Sequence, residues 1–226
     1  MSGWNIDNND LLALLEAHQE LNRMIASSTT TFEKGAYIYM SEDQPANVYF
    51  ILKGKVRLGA FMGEDKDVIH DILTEGDMFN ESALTNGTVK NEYALAMDDV
   101  TLAVVSKDLM TDIYVKFPEF NMFMMKAISE KIDEKQSRLE SLVFKNSRTR
   151  IIEFLINQVH KKGQRVGYEW VLRNFYTHQD IANLTSTSRQ SVTTILNELR
   201  EKNIIQFDRK RMLVRDLSLL IAQINM

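Results

Sequence analysis

The chain has 226 residues, 44% of them hydrophobic and 26% charged, with a formal net charge of −4 and no cysteine. That is the profile of one large or two modest globular domains with ample length for a buried core, and it excludes disulfides, Fe–S clusters and thiol redox sensing. No window has the apolar length that spans a bilayer, and the polar, acidic N-terminus is not a basic-then-apolar leader, so no membrane association and a cytoplasmic location are expected.

Residues 1–26 predict one packing helix, with Leu11, Leu12, Leu14, Leu15 and Leu21 as an apolar stripe behind an Asn/Asp-rich opening. From Thr29 to Ser106 the pattern changes to short strands. Thr30–Phe32 and Ala36–Met40 flank the turn Glu33-Lys34-Gly35. Asn47–Lys53 turns at Gly54 into Lys55–Phe61. Val68–Leu73, Ala94–Met97 and Val100–Ser106 follow, the last two around Asp98-Asp99. Even spacing with glycine or acidic turns predicts an antiparallel sandwich or roll.

Lys107–Phe117 returns to helix, and Pro118 suits the first turn of another. No Gly or Pro interrupts it up to Lys145. Met125, Ile128, Ile132, Lys135, Leu139 and Leu142 recur by three and four, a heptad seam. At ~1.5 Å per residue this helix spans about 40 Å. A seam that narrow on a helix that long predicts a second copy of the chain as its partner, giving a homodimer. The alternative is packing of the helix on its own sheet alone.

Asn146-Ser147 is a candidate hinge. Ser147–His160 reads as a helix with Ile151, Ile152, Phe154, Leu155 and Val159 inward, and Val166–Phe175 as strand around Trp170. Thr177–Arg200 then reads as two short helices joined by a tight turn. Thr177 and Asp180 have capping-box spacing, and Ser188 restarts the chain as an N-cap. On the second helix Val192, Ile195, Leu196 and Leu199 share one side. Gln190, Thr193, Thr194 and Asn197 share the other, with Arg189 at its edge. Arg pairs bidentately with guanine, Gln with adenine, and a Thr methyl meets the thymine methyl, so this is the face a helix-turn-helix lays in the major groove. An ordinary solvated helix pair is the bland alternative. Asn203–Asp208 and Met212–Val214 bracket Arg209-Lys210-Arg211 as a small wing with a positive tip. Asp216 caps a last apolar helix, Leu217–Ile224.

Charge separates along the chain. Residues 1–145 hold 14 Lys+Arg and 24 Asp+Glu, whereas residues 146–226 hold 13 and 7. The basic excess lies with the helix-turn-helix, where phosphates can be met.

This order of elements resembles the Crp/Fnr superfamily of bacterial transcription regulators over roughly residues 28–216. Phe32-Glu33-Lys34-Gly35 resembles an early strand turn of that family. Val48–Leu58 is similar to its hydrophobic-x-x-G-x-V hairpin, Gly76–Leu84 to the start of its cyclic-nucleotide phosphate cassette, and Thr177–Leu199 to its DNA-reading motif. The resemblance implies an α+β fold: an N-terminal antiparallel β-roll with its helix over 1–117, a long dimerisation helix over 118–145 and a C-terminal winged helix-turn-helix over 146–226. It implies base reading by Arg189 and Gln190, with Thr193 or Thr194 at the next position. Thr177, His178, Ser188 and Lys210 complete the expected DNA-contacting set, His178 against phosphate. Ser186 stands where many members have Gly, which adds strain to the turn.

The same resemblance implies an effector pocket of Asn80, Glu81, Ser82, Lys90 and Asn91, with Glu81 at the ribose-binding place. The family's Gly is Asn80 here, which crowds a close backbone approach. The phosphate-binding Arg-Ser pair falls at Lys90-Asn91 or one residue later, at Asn91-Glu92, and no Arg occurs between Arg57 and Arg138. Without the guanidinium fork a cyclic phosphate is poorly held, so cyclic AMP is not the expected effector and no cofactor is predicted. His70 is the one His of the roll; without a second ligand it is read as a strand residue, not a haem or metal ligand.

The expected function is therefore a sequence-specific, homodimeric DNA-binding regulator. It reads a palindromic operator and is controlled by a signal sensed in the roll, with RNA polymerase as partner if it activates. A cyclic-nucleotide module acting on a protein partner is the alternative. A small β-roll enzyme is disfavoured because the roll lacks clustered His and carboxylate ligands.

Overall fold

The computed structural model describes residues 10–43, 45–62, 66–85, 91–173, 175–208 and 211–225. They belong to two compact units, Met1–Lys131 and Ile132–Met226.

The first unit opens with two helices rather than one: α1 (Asp10–Ala17) and α2 (Gln19–Ala26), separated by His18 in extended geometry. The break has a packing reason. In an unbroken helix Leu21 would lie about 120° round from Leu15. The interruption instead sends Leu11, Leu15, Leu21 and Ile25 into a single core, where all four are buried.

Eight strands follow: β1 (Thr29–Phe32), β2 (Tyr37–Tyr39), β3 (Asn47–Lys53), β4 (Lys55–Met62), β5 (Lys66–Thr74), β6 (Met78–Phe79), β7 (Tyr93–Ala96) and β8 (Val100–Ser106). They form two four-stranded antiparallel sheets in the orders β1-β8-β3-β6 and β2-β7-β4-β5. The two-residue β6 is too short to show periodicity and was not legible as a strand. The β3–β4 turn needs its glycine: Gly54 has φ +93°, and a Cβ there would stand 2.6 Å from the Asp99 carbonyl. Inside the roll Tyr49 stacks on Phe79 at 4.8 Å, and Tyr39 leans on both.

Ser106 caps α3 (Lys107–Lys116), and α4 runs unbroken from Pro118 to Phe144. Its first turns bury Phe120, Phe123 and Met124 in the core that holds α1 and α2. Farther along, its apolar side chains are exposed.

In the second unit Asn146 accepts the Thr149 N–H and so caps α5 (Ser147–Lys162). The residues expected as a hinge thus include a helix cap. Next come β9 (Gln164–Val166), β10 (Glu169–Arg173), α6 (His178–Thr185), α7 (Arg189–Glu201), β11 (Ile205–Phe207), β12 (Arg211–Val214) and α8 (Leu217–Ala222). The wing is not a separate hairpin. Strand β12 pairs with β10, Trp170 opposite Val214, completing a four-stranded sheet in the order β11-β12-β10-β9. One core of Ile151, Leu155, Leu172, Ile181, Leu196 and Met212 joins α5, α6, α7 and this sheet.

Candidate nucleic-acid interface and sensory roll

Helix α6 starts as its sequence predicts. The Thr177 hydroxyl accepts the Asp180 N–H at 3.1 Å, and the Asp180 carboxylate accepts the Thr177 N–H at 3.0 Å, a complete capping box. The helix ends at Ser186, which adopts the left-handed conformation at φ 52°, ψ 48°. A non-glycine residue there carries strain of about 1–2 kcal/mol. Arg150 of α5 offsets it by donating to the carbonyls of Thr185 (2.9 Å) and Ser186 (3.0 Å), while Arg138 of α4 donates to the Asn183 carbonyl at 3.1 Å. Three carbonyls at the end of α6 are therefore held by guanidinium groups. Neither Arg was legible as a turn-holding residue, because each lies 35 or more residues away in sequence.

Helix α7 buries Val192, Ile195, Leu196 and Leu199 on the side its periodicity predicts. Ser188 is its N-cap, accepting the Ser191 N–H at 3.0 Å. On the outer side Arg189, Gln190 and Thr194 are exposed, while Thr193 and Asn197 are half-buried. Thr193 and Thr194 also differ chemically. The Thr193 hydroxyl donates to the Arg189 carbonyl at 2.9 Å and meets Nδ1 of His178 at 2.9 Å. The outer face thus presents guanidinium, amide and Thr194 hydroxyl without a carboxylate at its N-terminal end.

His178 is half-buried, with its ring edge-on to Phe207 of β11 at 5.7 Å. Burial first, then the neighbouring Arg189 charge, lower its pKa from the usual value. Glu198 closes the back of α7. It takes a two-pronged bond from Arg148 (2.6 and 3.0 Å) and an ion pair from Lys202 (3.0 Å), and the bonds to Arg148 and then Lys202 bring its pKa down to about 2. Lys210, expected at the wing tip, lies outside the described residues.

In the roll, four of the pocket residues expected from the sequence, Asn80, Glu81, Ser82 and Asn91, are drawn into internal bonds. Asn80 is buried at φ +60°, and its amide donates to the carbonyls of Pro45 and Asn47, both at 2.8 Å. Its side chain therefore ties the cassette to the Pro45 and Asn47 carbonyls. Ser82 donates to Asn80 Oδ1 at 3.4 Å. Asn91 donates to the Phe61 carbonyl at 3.1 Å. Lys90 lies outside the described residues. Glu81 opens a 3-10 turn (Glu81–Thr85), and its carboxylate is paired with Lys131 of α4, whose ammonium also donates to the Met78 carbonyl. Glu92 accepts a hydrogen bond from Tyr39 at 2.8 Å and stands 3.7 Å from Nδ1 of His70, a strand residue of β5. Burial first, then this carboxylate, raise the Tyr39 phenol pKa far above its usual value.

The heptad stripe of α4 lies open. Met125 is 65% exposed, Ile128 37%, Ile132 59%, Leu139 65% and Leu142 41%. No packing among the described residues covers these side chains beyond that.

Comparisons with known proteins place these features in a lineage. Residues 29–116 match the model of the cyclic nucleotide-binding domain, and residues 149–222 that of the Crp-like helix-turn-helix domain. The global nitrogen regulator of Nostoc sp. strain PCC 7120 is 26% identical over 186 residues, 81% of this chain and 83% of that one. The HTH-type transcriptional regulator ArcR of Staphylococcus epidermidis is 27% identical over 190 residues, 81% of this chain and 80% of its own. Among solved structures, a CooA mutant from Carboxydothermus hydrogenoformans aligns with a TM-score of 0.79 at 25% identity, covering 94% of each chain. With the roll, the long helix and the helix-turn-helix present in that order, the chain belongs to the Crp/Fnr superfamily of DNA-binding transcription regulators.

Proposed function

We propose that this regulator acts as a homodimer reading a palindromic site, one α7 in each half-site, under a signal other than cyclic AMP received by the roll. The exposed heptad stripe carries the first part: five apolar side chains on one seam of α4 stand at 37–65% exposure. Two-fold pairing of α4 covers them and duplicates the reading helix, and the symmetry of the dimer then dictates the symmetry of the operator. Base readout is assigned to Arg189, Gln190 and Thr194, with Ser188 and Thr177 near the phosphates. If the protein activates transcription, RNA polymerase is its further partner.

The effector assignment rests on Glu81. A carboxylate at the ribose-binding place serves a nucleotide when its oxygens face the ligand. Here that carboxylate is paired with the chain's own Lys131.

Selection of binding sites from random duplexes at moderate salt, followed by footprinting, tests the reading. A palindromic consensus protected on both halves is expected. Recovery of no preferred sequence refutes it. Arg189→Ala should cost about 1–3 kcal/mol at one base position per half-site and relax preference there.

A further inference from the structure

Two residues expected to touch DNA, His178 and Thr193, are bonded to each other. Thr193 carries one hydroxyl proton, and it donates that proton to the Arg189 carbonyl one helical turn earlier. The second contact of the same oxygen is His178 Nδ1 at 2.9 Å, so the ring nitrogen is the donor. The ring is thereby fixed in the tautomer with Nδ1 protonated, and burial and then the Arg189 charge, which lower its pKa, favour the neutral form. Its other nitrogen, Nε2, then carries a lone pair and no proton. A phosphate oxygen offers lone pairs as well, so a neutral His178 in this tautomer has no hydrogen bond to give the DNA backbone. The Thr193 hydroxyl, in turn, has no proton left for a base edge.

The geometry points instead to a positioning role. We propose that His178 and Thr193 form a relay from the start of α6 to the first turn of α7, and that this relay sets the aim of Arg189 without touching DNA. The backbone of Arg189 is held on both sides. On one side Ser188 caps the helix through the Ser191 N–H. On the other, the Arg189 carbonyl takes the Thr193 hydroxyl, which His178 anchors to α6. The far side of the imidazole packs edge-on to Phe207 of β11, over whose ring Arg200 of α7 stands at 5.3 Å. One side chain therefore registers the first helix, the reading helix and the wing strand. Bidentate recognition of a base depends on the placement of a rigid guanidinium fork, so loosening its base turn lowers discrimination more than total affinity.

The inference rests on Arg189 reading a base, and the test separates the two ideas. The full-length protein is titrated against its selected duplex and against duplexes changed at each position, over a series of salt concentrations. Arg189→Ala first locates the base pair whose preference it flattens. Thr193→Val keeps the shape and removes the hydroxyl, and His178→Ala removes the anchor. Each is expected to reduce discrimination at that base pair about 3–10-fold, the worth of one hydrogen bond, with the salt slope unchanged. Thr193→Ser retains the hydroxyl, and His178→Asn retains an N–H donor near the place of Nδ1; both should stay within about twofold of wild type. Altered preference at a different base pair in Thr193→Ser shows direct reading by Thr193 and overturns the relay. Uniform loss on all duplexes in His178→Ala, with the salt slope reduced by about 1, shows a phosphate contact and overturns it equally. A flat profile for Arg189→Ala overturns the reading-helix assignment beneath it, whereas a stepped Arg189→Ala profile with an unchanged Thr193→Val overturns the relay alone.

Discussion

Replacing Ile132 and Leu139 with glutamate should separate the proposed dimer. In one chain these side chains are 59% and 65% exposed. Burying a whole aliphatic side chain is worth about 1.5–3 kcal/mol, so covering roughly three-fifths of each contributes about 1–2 kcal/mol. A two-fold axis presents each residue twice, which brings the four copies to about 4–8 kcal/mol. Losing that much raises the dimer dissociation constant by about 10³- to 10⁶-fold, before any repulsion between the new carboxylates is counted. Sedimentation velocity over about 1–50 µM is the assay: the wild type should remain dimeric across the range, and the double variant, weakened to a micromolar constant or beyond, should dissociate as it is diluted toward about 1 µM. Val115→Glu is the control, since Val115 is 78% exposed but lies on α3, outside the heptad seam. An intact dimer in the double variant, or equal dissociation in the control, refutes the argument. With separation, affinity for the full palindrome should fall toward that for one half-site.

The turn and the back of the reading helix give two stability tests, and the roll gives a binding test. Ser186→Gly relieves a left-handed residue at φ 52° and should stabilise the protein by about 0.5–1 kcal/mol, read as a higher urea midpoint; a lower midpoint would show that Arg150 already removes the strain. Glu198 has its pKa depressed from 4.5 to about 2, so the stability its bonds contribute is full above pH 4.5 and fades as pH falls toward 2. Because that carboxylate is 37% exposed, solvent screening limits the contribution to about 0.5–1 kcal/mol. The gap in urea midpoint between wild type and Arg148→Met should be full at pH 6 and reduced to about half or less at pH 3; a gap at pH 3 as large as that at pH 6 contradicts the assignment. Cyclic AMP titrated into the protein should give no saturable heat, and tight binding would show that Lys90 takes the place of the missing Arg.

What could be read from the sequence was what depends on near neighbours along the chain. The buried face of α7 follows from a 3.6-residue period, and the start of α6 from a Thr and an Asp three residues apart. The break at His18 has no local signal, because the pairs Leu11/Leu15 and Leu21/Ile25 on either side of it each look helical; only the shared core shows that one helix cannot point both inward. Thr193 and Thr194 were interchangeable on a helical wheel. The difference between them comes from His178, a residue of another helix. The Glu81–Lys131 pair bridges 50 positions and has no local signature at all.

The two places where the family resemblance implies glycine and this chain has Asn80 and Ser186 show the same division between backbone and side chain. Asn80 and Ser186 both hold positive φ, 60° and 52°, so the backbone keeps the left-handed conformation that glycine adopts without penalty. In each case a distant bond maintains it: the Asn80 amide reaches the carbonyls of Pro45 and Asn47, and Arg150 reaches the carbonyl of Ser186. At both places the backbone holds a shape that glycine adopts freely, while the side chain makes bonds that glycine cannot or leaves them to a distant arginine. At Ser186 the altered residue leaves the exposed face of α7 untouched, and Arg189, Gln190 and Thr194 remain presented. In the cassette, by contrast, the change sits beside a carboxylate already paired with Lys131. The two departures thus fall in different places: one in the turn that precedes the proposed reading helix, the other beside the Glu81–Lys131 pair on which the proposal of an effector other than cyclic AMP rests.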